Sequence, residues 1–369
     1  MTEKILMCGN EALAEAAILS GCRFYAGYPI TPQNELCEYM ARRMPEVGGT
    51  FIQAESELAA INMVFGASVA GARAITSSSS PGISLKQEGI SYLAGCELPA
   101  VIVNIMRGGP GLGNIAPSQS DYFQAVKGGG HGDYHCIVLA PASVQEMADI
   151  TRLAFELADR YRTPVMILGD GLLGQMMEPL IMTGGTPVLP TTDETPVLLD
   201  KDIKRDKPWA LTGCKGRPPN IIRSLLLEEG ALEELNMRLK GRYDEIASKE
   251  TRFEGLFLED SDIILVAYGT TSRICKGAMK EARAGGIKVG MIRPITLFPF
   301  PSEAIAKASK DVDAFLAVEM STGQMVEDVR LAVEGRSRVE FYGRTGGGIP
   351  SKEEILDVIK SKCKIQNAK

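Results

Sequence analysis

Two acids one residue apart, Glu55 and Glu57, sit inside the stretch FIQAESELAAINMVF at 51–65, just ahead of a run with helical apolar spacing. Acids near a helix start are favoured by the partial positive charge of the unpaired amides, and that alone accounts for finding them there. Their spacing adds a constraint. Residues two apart on a helix point to nearly opposite sides, so the pair cannot form a carboxylate dyad, and only one acid can face a given site. Glu57 shares its face with Ala60, Ile61 and Val64, whereas Glu55 stacks over Leu58, Ala59 and the polar Asn62. Glu57 is therefore the acid expected among apolar neighbours, a setting in which a carboxylate can exchange a proton near neutral pH.

Three further stretches carry groups that could meet a ligand. In Gly27-Tyr28-Pro29-Ile30-Thr31-Pro32, Thr31 followed by Pro32 reads as a helix cap with proline at the first helical position. It reads equally as a residue facing a ligand where a strand end meets a helix start. Four hydroxyls, Ser77 to Ser80, precede Pro81-Gly82; they either receive a polar ligand or make a solvated turn. Arg107 closes an apolar run and opens a glycine-rich one, Gly108 to Gly113. An arginine there can grip a carboxylate with two parallel hydrogen bonds while glycines allow close approach, or it can serve an intrachain ion pair. A nucleotide-loop reading of 109–113 lacks the immediately following helix and the acid about 20 residues on. His131 and His135 have a spacing that binds metal on a helix, but glycines 128–130 argue for a loop. With those as the only histidines, no nucleophile-base-acid set is present.

The elements that would position these groups alternate. Helices are expected at 10–20, 31–44, 81–94 and 143–159, and strands at 22–26, 72–76, 99–106 and 164–168, the pattern of a parallel sheet covered on both faces. Residues 183–206, rich in Pro, Thr and Asp, read as a linker or extended arm, and 225–249 as a charged amphipathic helix. From 261 the alternation resumes, with strands at 263–268, 288–292, 314–319 and 339–342 separated by helices at 271–284, 302–309 and 323–334. That is a second, smaller parallel domain, and the expected division is 1–185, 186–255 and 256–369.

Composition narrows the class. The 369 residues are 45% hydrophobic, enough for buried cores in two or three domains. With 40 basic against 46 acidic residues the net charge is −6, which gives no electrostatic footprint for nucleic acid or an anionic membrane. No apolar stretch approaches the roughly 20 residues of a membrane span, and the start MTEKILMCGN is too short in apolar residues for a signal peptide. A cytoplasmic location is the default expectation. Eight singly scattered cysteines suit neither zinc nor an iron-sulfur cluster and are expected to be reduced and mostly buried.

Taken together, GYPITP at 27–32, QAESELAAINM at 53–63, SSSSPGISLKQEGISYLAG at 77–95 and MRGGPGLG at 106–113 resemble the alpha subunit of 2-oxoacid:ferredoxin oxidoreductases. Within that family, SSSSPG and PSQSDYFQAVKGGGHGDY at 117–134 look like the 3-methyl-2-oxobutanoate (2-oxoisovalerate) branch. The 2-oxoglutarate branch typically carries a Thr-Ala-Thr-Ser-Gly-Pro-Gly version of the first motif. The resemblance implies an α/β fold: a pyrimidine-binding domain for thiamine diphosphate, then a transketolase C-terminal-like domain. It places the cofactor glutamate on Glu57, the substrate-contacting threonine on Thr31 and the carboxylate-binding arginine on Arg107. Pro29, Ile30, Ser79, Ser80 and Pro81 are the further expected cofactor contacts, with no metal ligand in this chain. Gly169-Asp170-Gly171 lacks the downstream asparagine pair of a metal-diphosphate motif. The resemblance accordingly puts the diphosphate and Mg2+ on a beta subunit, and iron-sulfur clusters on beta and a ferredoxin-like delta subunit. A gamma subunit, ferredoxin, coenzyme A and the 2-oxoacid complete the implied partners. The rivals are a 2-oxoglutarate enzyme, a non-catalytic assembly subunit of the same fold, and a nucleotide-binding dehydrogenase.

Overall fold

The structure, a computed structural model, describes residues 4–182 and 207–366, with side chains to residue 361; the expected linker at 183–206 lies outside the described residues. The chain begins β1 (Ile5–Cys8), α1 (Gly9–Leu19), β2 (Phe24–Gly27), α2 (Asn34–Glu46), β3 (Thr50–Gln53), α3 (Glu57–Val69), β4 (Ala74–Ser78), α4 (Pro81–Gly95) and β5 (Ala100–Met106). It continues α5 (Tyr122–Val126), β6 (Ile137–Leu139), α6 (Val144–Tyr161), β7 (Pro164–Asp170), α7 (Gly171–Gln175) and β8 (Met177–Leu180). Strands β4 to β7 are buried at every residue, which is why they are mainly apolar and show no polar alternation, their few polar residues (Thr76, Ser77, Ser78, Asn104 and Asp170) being buried with the rest. They pair in the order β6-β7-β5-β4-β2-β3, all parallel, while β1 and β8 form a separate antiparallel pair.

After the undescribed stretch come α8 (Ala231–Glu250), β9 (Phe253–Leu256), β10 (Ile263–Val266), α9 (Gly269–Ala284), β11 (Val289–Pro294) and β12 (Thr296–Phe298). The last elements are α10 (Ser302–Ala308), β13 (Ala314–Glu319), α11 (Met325–Val333), β14 (Arg338–Gly343) and α12 (Lys352–Gln366). The second sheet runs β14-β13-β10-β11-β9, parallel except for β9 at its edge. Two placements cut across a boundary at 256. Strand β9 belongs to the second sheet, and β12 leaves it to pair antiparallel with β6 of the first, Thr296 opposite Leu139 and Phe298 opposite Val138. One apolar cluster accordingly runs from Leu13 and Val103 to Tyr268 and Phe315.

Several expected boundaries move, each for a local reason. Thr31 does not cap: α2 starts at Asn34 behind Gln33, because the Thr31 hydroxyl accepts from Asn34 Nδ2 (3.2 Å) and its carbonyl is taken by Arg107. Strand β4 extends to Ser78, so Ser77 and Ser78 lie in the sheet and not in a solvated turn. Helix α8 starts at Ala231, not 225, behind Gly230 in the left-handed region (φ +80°). Of the described cysteines, Cys8, Cys22, Cys37, Cys96, Cys136 and Cys275 are buried thiols and Cys214 is exposed. Among the described residues, no helix is long and apolar enough to cross a membrane.

Gln119 clasps the two sheets together. Its Nε2 donates to the Tyr268 carbonyl (2.9 Å), and its Oε1 accepts from Met320 N (2.9 Å) and the Thr271 hydroxyl (3.1 Å). Its backbone N–H donates to the Met320 carbonyl (2.9 Å). A buried network left half satisfied is costly, so Gln119→Leu should destabilise the chain by about 2–4 kcal/mol, read from the shift of the denaturant midpoint.

Candidate functional site

Four neighbouring parallel strands, β5-β4-β2-β3, end on one edge of the first sheet, and each is followed by residues that could do chemistry. The chain leaves β2 for β3 on one side and reaches β4 on the other, so the carboxyl end of β2 is the point where strand order reverses. Open parallel sheets form their ligand crevice there.

Glu57 is the first residue of α3, behind Ser56, whose hydroxyl caps the helix by accepting from Ala59 N (3.2 Å). The helix turns Glu57 inward to 6% exposure together with Ala60, Ile61 and Val64, the face the spacing predicts; Glu55 is exposed, but it precedes the cap residue Ser56 and lies outside the helix. Among the described residues, nothing donates a hydrogen bond to its carboxylate. Gly82, at the start of α4, allows that close packing. A Cβ there would stand 2.5 Å from Glu57 Oε1 and 2.0 Å from Ser78 Oγ. The buried hydroxyls of Ser78 and Ser79 have no hydrogen-bond partner among the described residues. Buried polar atoms without partners are rare and call for an explanation, of which a bound ligand is one.

One turn along α4, Lys86 is fully buried and donates to Thr76 Oγ1 on β4 (2.8 Å). Burial pushes its ammonium down from 10.5 to about 7, with the Glu57 charge opposing. In the unfolded chain that lysine binds its proton up to the ordinary value, so between about pH 7 and 10.5 the unfolded state holds more protons and stability rises with pH. Lys86→Met, which removes the buried charge, should therefore melt above the parent by the widest margin at or below pH 7. The gap should close as the pH approaches 10.5, checked by melting temperature across that range.

Ser80 is built differently from its neighbours. It holds a left-handed φ of +26°, strained for a residue with a Cβ. Three contacts fix it: Ser80 N donates to Asn104 Oδ1 (3.0 Å), Ser80 Oγ donates to Asp121 Oδ2 (2.6 Å), and Arg107 N donates to Ser80 Oγ (3.0 Å). Asn104 Nδ2 also donates to Asp121 (2.9 Å). Burial raises the Asp121 carboxyl above the usual carboxylate range, against those two hydrogen bonds. The Ser80 hydroxyl is thus engaged within the chain, while those of Ser78 and Ser79 are not.

The Arg107 side chain, 9% exposed, reaches the Thr31 carbonyl through Nη1 (3.0 Å) and the Leu112 carbonyl through Nη2 (3.1 Å). It makes no ion pair among the described residues, and its Nε–H is buried without an acceptor. Gly113 shapes the loop beside it, since a Cβ there would fall 1.7 Å from the Gly108 carbonyl oxygen. A contact chain therefore joins the expected residues: Glu57 to Gly82, Ser80 to Arg107, Arg107 to Thr31. Ile30 and Thr31 are half-buried and Pro29 is exposed on the same turn; Pro81, half-buried, begins α4.

Other singled-out groups have structural occupations. Asp170 caps α7, its Oδ1 accepting from Leu172 N (3.0 Å) and Leu173 N (3.1 Å), and its Oδ2 accepts from Thr270 N (3.4 Å). His135 stacks on Phe298 (4.1 Å) and edge-on to Tyr243 (5.3 Å), packing between the strand that crosses sheets and α8. Gly82, Lys86, Asn104 and Asp121 are the site residues that the sequence reading missed, and Ser78 it named only as one of four hydroxyls. One signal was available: Gly82, Lys86 and Gly89 recur at i, i+4 and i+7, a narrow stripe that lets another helix come close.

Two family models match the chain: the thiamine-diphosphate-binding part of pyruvate flavodoxin/ferredoxin oxidoreductase over residues 15–205, and core domain II of pyruvate:ferredoxin oxidoreductase over 261–355. The ketoisovalerate oxidoreductase subunit VorB of Methanothermobacter marburgensis is 52% identical over 95% of this chain and 96% of its own length. The 2-oxoglutarate synthase subunit KorA of Methanothermobacter thermautotrophicus is 38% identical over 97% of this chain and 99% of its own. Among solved structures, the 2-oxoglutarate:ferredoxin oxidoreductase of Magnetococcus marinus superimposes with TM-score 0.84 at 27% identity, over 98% of this chain and 65% of that longer one. A split-gene transketolase shares the fold alone, with TM-score 0.58 at 15% identity over 96% of this chain and 97% of that one. With its crevice at the strand-order reversal and both family models in sequence, the chain belongs to the pyruvate flavodoxin/ferredoxin oxidoreductase family, as a 2-oxoacid:ferredoxin oxidoreductase subunit whose amino-terminal part is the thiamine-diphosphate-binding domain.

Proposed function

We propose that this chain is the alpha subunit of an enzyme that oxidatively decarboxylates branched-chain 2-oxoacids, 3-methyl-2-oxobutanoate foremost, to acyl-CoA, carbon dioxide and reduced ferredoxin. The observation that carries the reading is Glu57, buried at the crevice with no donor to its carboxylate among the described residues and with glycine as its wall. The surroundings fit the pyrimidine half of thiamine diphosphate: a carboxylate for a ring nitrogen, and the two unpartnered hydroxyls of Ser78 and Ser79 for polar edges. When bound, that cofactor supplies the nucleophilic carbon and electron sink for 2-oxoacid decarboxylation. Glu57 holds the proton at the ring nitrogen; Pro29, Ile30, Ser79 and Pro81 line the cofactor's side of the crevice. Ser80, with its hydroxyl already engaged, keeps the turn in shape. Arg107 and Thr31 hold the substrate carboxylate, for which the Arg107 Nε–H is an uncommitted donor.

The remaining parts fall to other chains. The Asp170 oxygens are taken up by backbone N–H groups of this chain, which supports placing the diphosphate and Mg2+ on a beta subunit. A gamma subunit and a ferredoxin-like delta subunit, with iron-sulfur clusters on beta and delta, complete the assembly, in the cytoplasm and without nucleic-acid or membrane partners. Domains 1–185, 186–255 and 256–369 serve as cofactor domain, connecting arm and second α/β domain, with β12 reaching back across that division. The higher identity to the ketoisovalerate subunit supports the branched-chain substrate, and the 38% identity to the 2-oxoglutarate subunit supports the second reading. The reconstituted complex, assayed with a viologen dye and coenzyme A, should give a kcat/KM at least tenfold higher for 3-methyl-2-oxobutanoate than for 2-oxoglutarate. The reverse order would favour the second reading. Failure of the alpha-beta pair to bind thiamine diphosphate would make the chain an assembly subunit.

A further inference from the structure

We infer that Asp121 is a positioning residue for Arg107: by taking the hydrogen of the Ser80 hydroxyl it leaves that oxygen to accept from Arg107 N, and so fixes the arginine where the chain leaves β5. The inference rests on the reading of Arg107 given above and extends it to a residue on another element.

Asp121 stands directly ahead of α5, where an aspartate would ordinarily cap the helix, yet its side chain makes no cap hydrogen bond. It turns instead to the ends of β4 and β5, where Oδ2 accepts from both Ser80 Oγ (2.6 Å) and Asn104 Nδ2 (2.9 Å). Among the described residues it makes no ion pair, so neither capping nor charge pairing accounts for a carboxyl held out of water. Its two donors do. The Ser80 hydroxyl has one hydrogen and two acceptors in reach, Asp121 Oδ2 at 2.6 Å and the Arg107 carbonyl at 3.2 Å. The carboxylate is the nearer and the stronger acceptor, so the hydrogen goes there and the oxygen's lone pairs remain for Arg107 N (3.0 Å). Asp121 also decides which end of the Asn104 amide meets Ser80: with Nδ2 committed to the acid, Oδ1 is left to accept from Ser80 N (3.0 Å). Both contacts hold Ser80 at its left-handed φ of +26°.

The acid is itself fixed from the other side. Tyr122 donates to Asp328 Oδ2 (2.7 Å), Phe123 N donates to Gln324 Oε1 (2.8 Å), and Gln324 Nε2 donates to the Ser120 carbonyl (2.7 Å). Asp328 lies on α11 and Gln324 directly ahead of it, so the second α/β domain reaches the arginine through Asp121 and Ser80.

The test uses the assembled enzyme with Asp121→Ala, Asp121→Asn, Ser80→Gly, the double variant Asp121→Ala/Ser80→Gly, and Arg107→Ala for reference. Two readouts are taken: the kinetic constants for the 2-oxoacid and coenzyme A, and amide hydrogen exchange at Arg107 measured without substrate. Asp121→Ala should raise the Michaelis constant for the oxoacid by about 5- to 20-fold, with kcat and the coenzyme A constant within about threefold. Exchange at Arg107 should quicken by about tenfold as its acceptor is lost. Ser80→Gly removes the hydroxyl while tolerating the positive φ; it should match Asp121→Ala and decides the matter if that variant does not assemble. Asp121→Asn offers an amide oxygen to the same two donors and should return the oxoacid constant to within about threefold of the parent. The double variant should be no worse than the more affected single, because both changes break one chain of contacts. An oxoacid constant unchanged in Asp121→Ala and Ser80→Gly but raised in Arg107→Ala would overturn the inference, as would additive effects in the double variant or an equal rise in the coenzyme A constant. An oxoacid constant unchanged in Arg107→Ala would instead overturn the reading of Arg107 itself.

Discussion

Glu57→Gln in the assembled enzyme should lower kcat by about two orders of magnitude or more, the usual scale for losing a positioned acid-base group. The substitution preserves shape. Gln fills the same space against Gly82 and Ser78, and the helix cap from Ser56 does not involve the side chain, so folding and assembly should survive. What is lost is a carboxylate that can hold a proton at a ring nitrogen. The exposed Glu55 is the internal control: it stands two residues away, just ahead of the helix cap, and is open to solvent. Glu55→Gln should leave kcat within about twofold, because a surface carboxylate in water does little for chemistry elsewhere. The pair thus separates a loss of charge near the helix start from a loss of charge in the crevice. Equal activity in both variants, with thiamine diphosphate bound, would falsify the assignment of Glu57.

Much of this crevice is legible in the sequence because helices and strands project residues with fixed periods. The 3.6-residue period places Glu57 on the buried face of α3 with Ala60, Ile61 and Val64, while Glu55 stands ahead of the cap residue Ser56, outside the helix. Arg107 is legible as the residue that follows a mainly apolar strand and precedes glycines. The illegible parts depend on partners far along the chain. Whether a hydroxyl in SSSS is free depends on Asp121, 41 residues from Ser80, and on Asn104, 24 residues away. Those contacts commit Ser80 and leave Ser78 and Ser79 uncommitted, which no local pattern reveals. Lys86 looks like part of a polar helical face until α3 closes over it. Strands of three residues, β6 and β12, are too short to carry a period, and β12 joins a sheet assembled well over a hundred residues earlier. Thr31 failed as a cap for a related reason: the carbonyl and hydroxyl that a cap would use are claimed by Arg107 and Asn34.

Arg107→Ala should raise the Michaelis constant for the 2-oxoacid by about 100-fold and leave that for coenzyme A within about threefold, the size expected for two charge-assisted hydrogen bonds. The guanidinium has two occupations to separate. Its terminal nitrogens each donate to a carbonyl, Thr31 and Leu112, which pins the turn of β2 to the glycine loop. Each of those nitrogens keeps a second hydrogen, and Nε–H has no acceptor, so donors remain for a carboxylate. Arg107→Lys distinguishes the two. A lysine ammonium carries the charge but lacks the planar fork, and cannot span both carbonyls while meeting a carboxylate. If the arginine served only as a clamp, both variants would loosen the loop and disturb the oxoacid and coenzyme A constants together. If it holds the substrate, the lysine variant should recover part of the oxoacid affinity, about tenfold, through charge alone. Such a graded series, alanine weaker than lysine weaker than arginine for the oxoacid and flat for coenzyme A, is what a carboxylate held at this strand end requires.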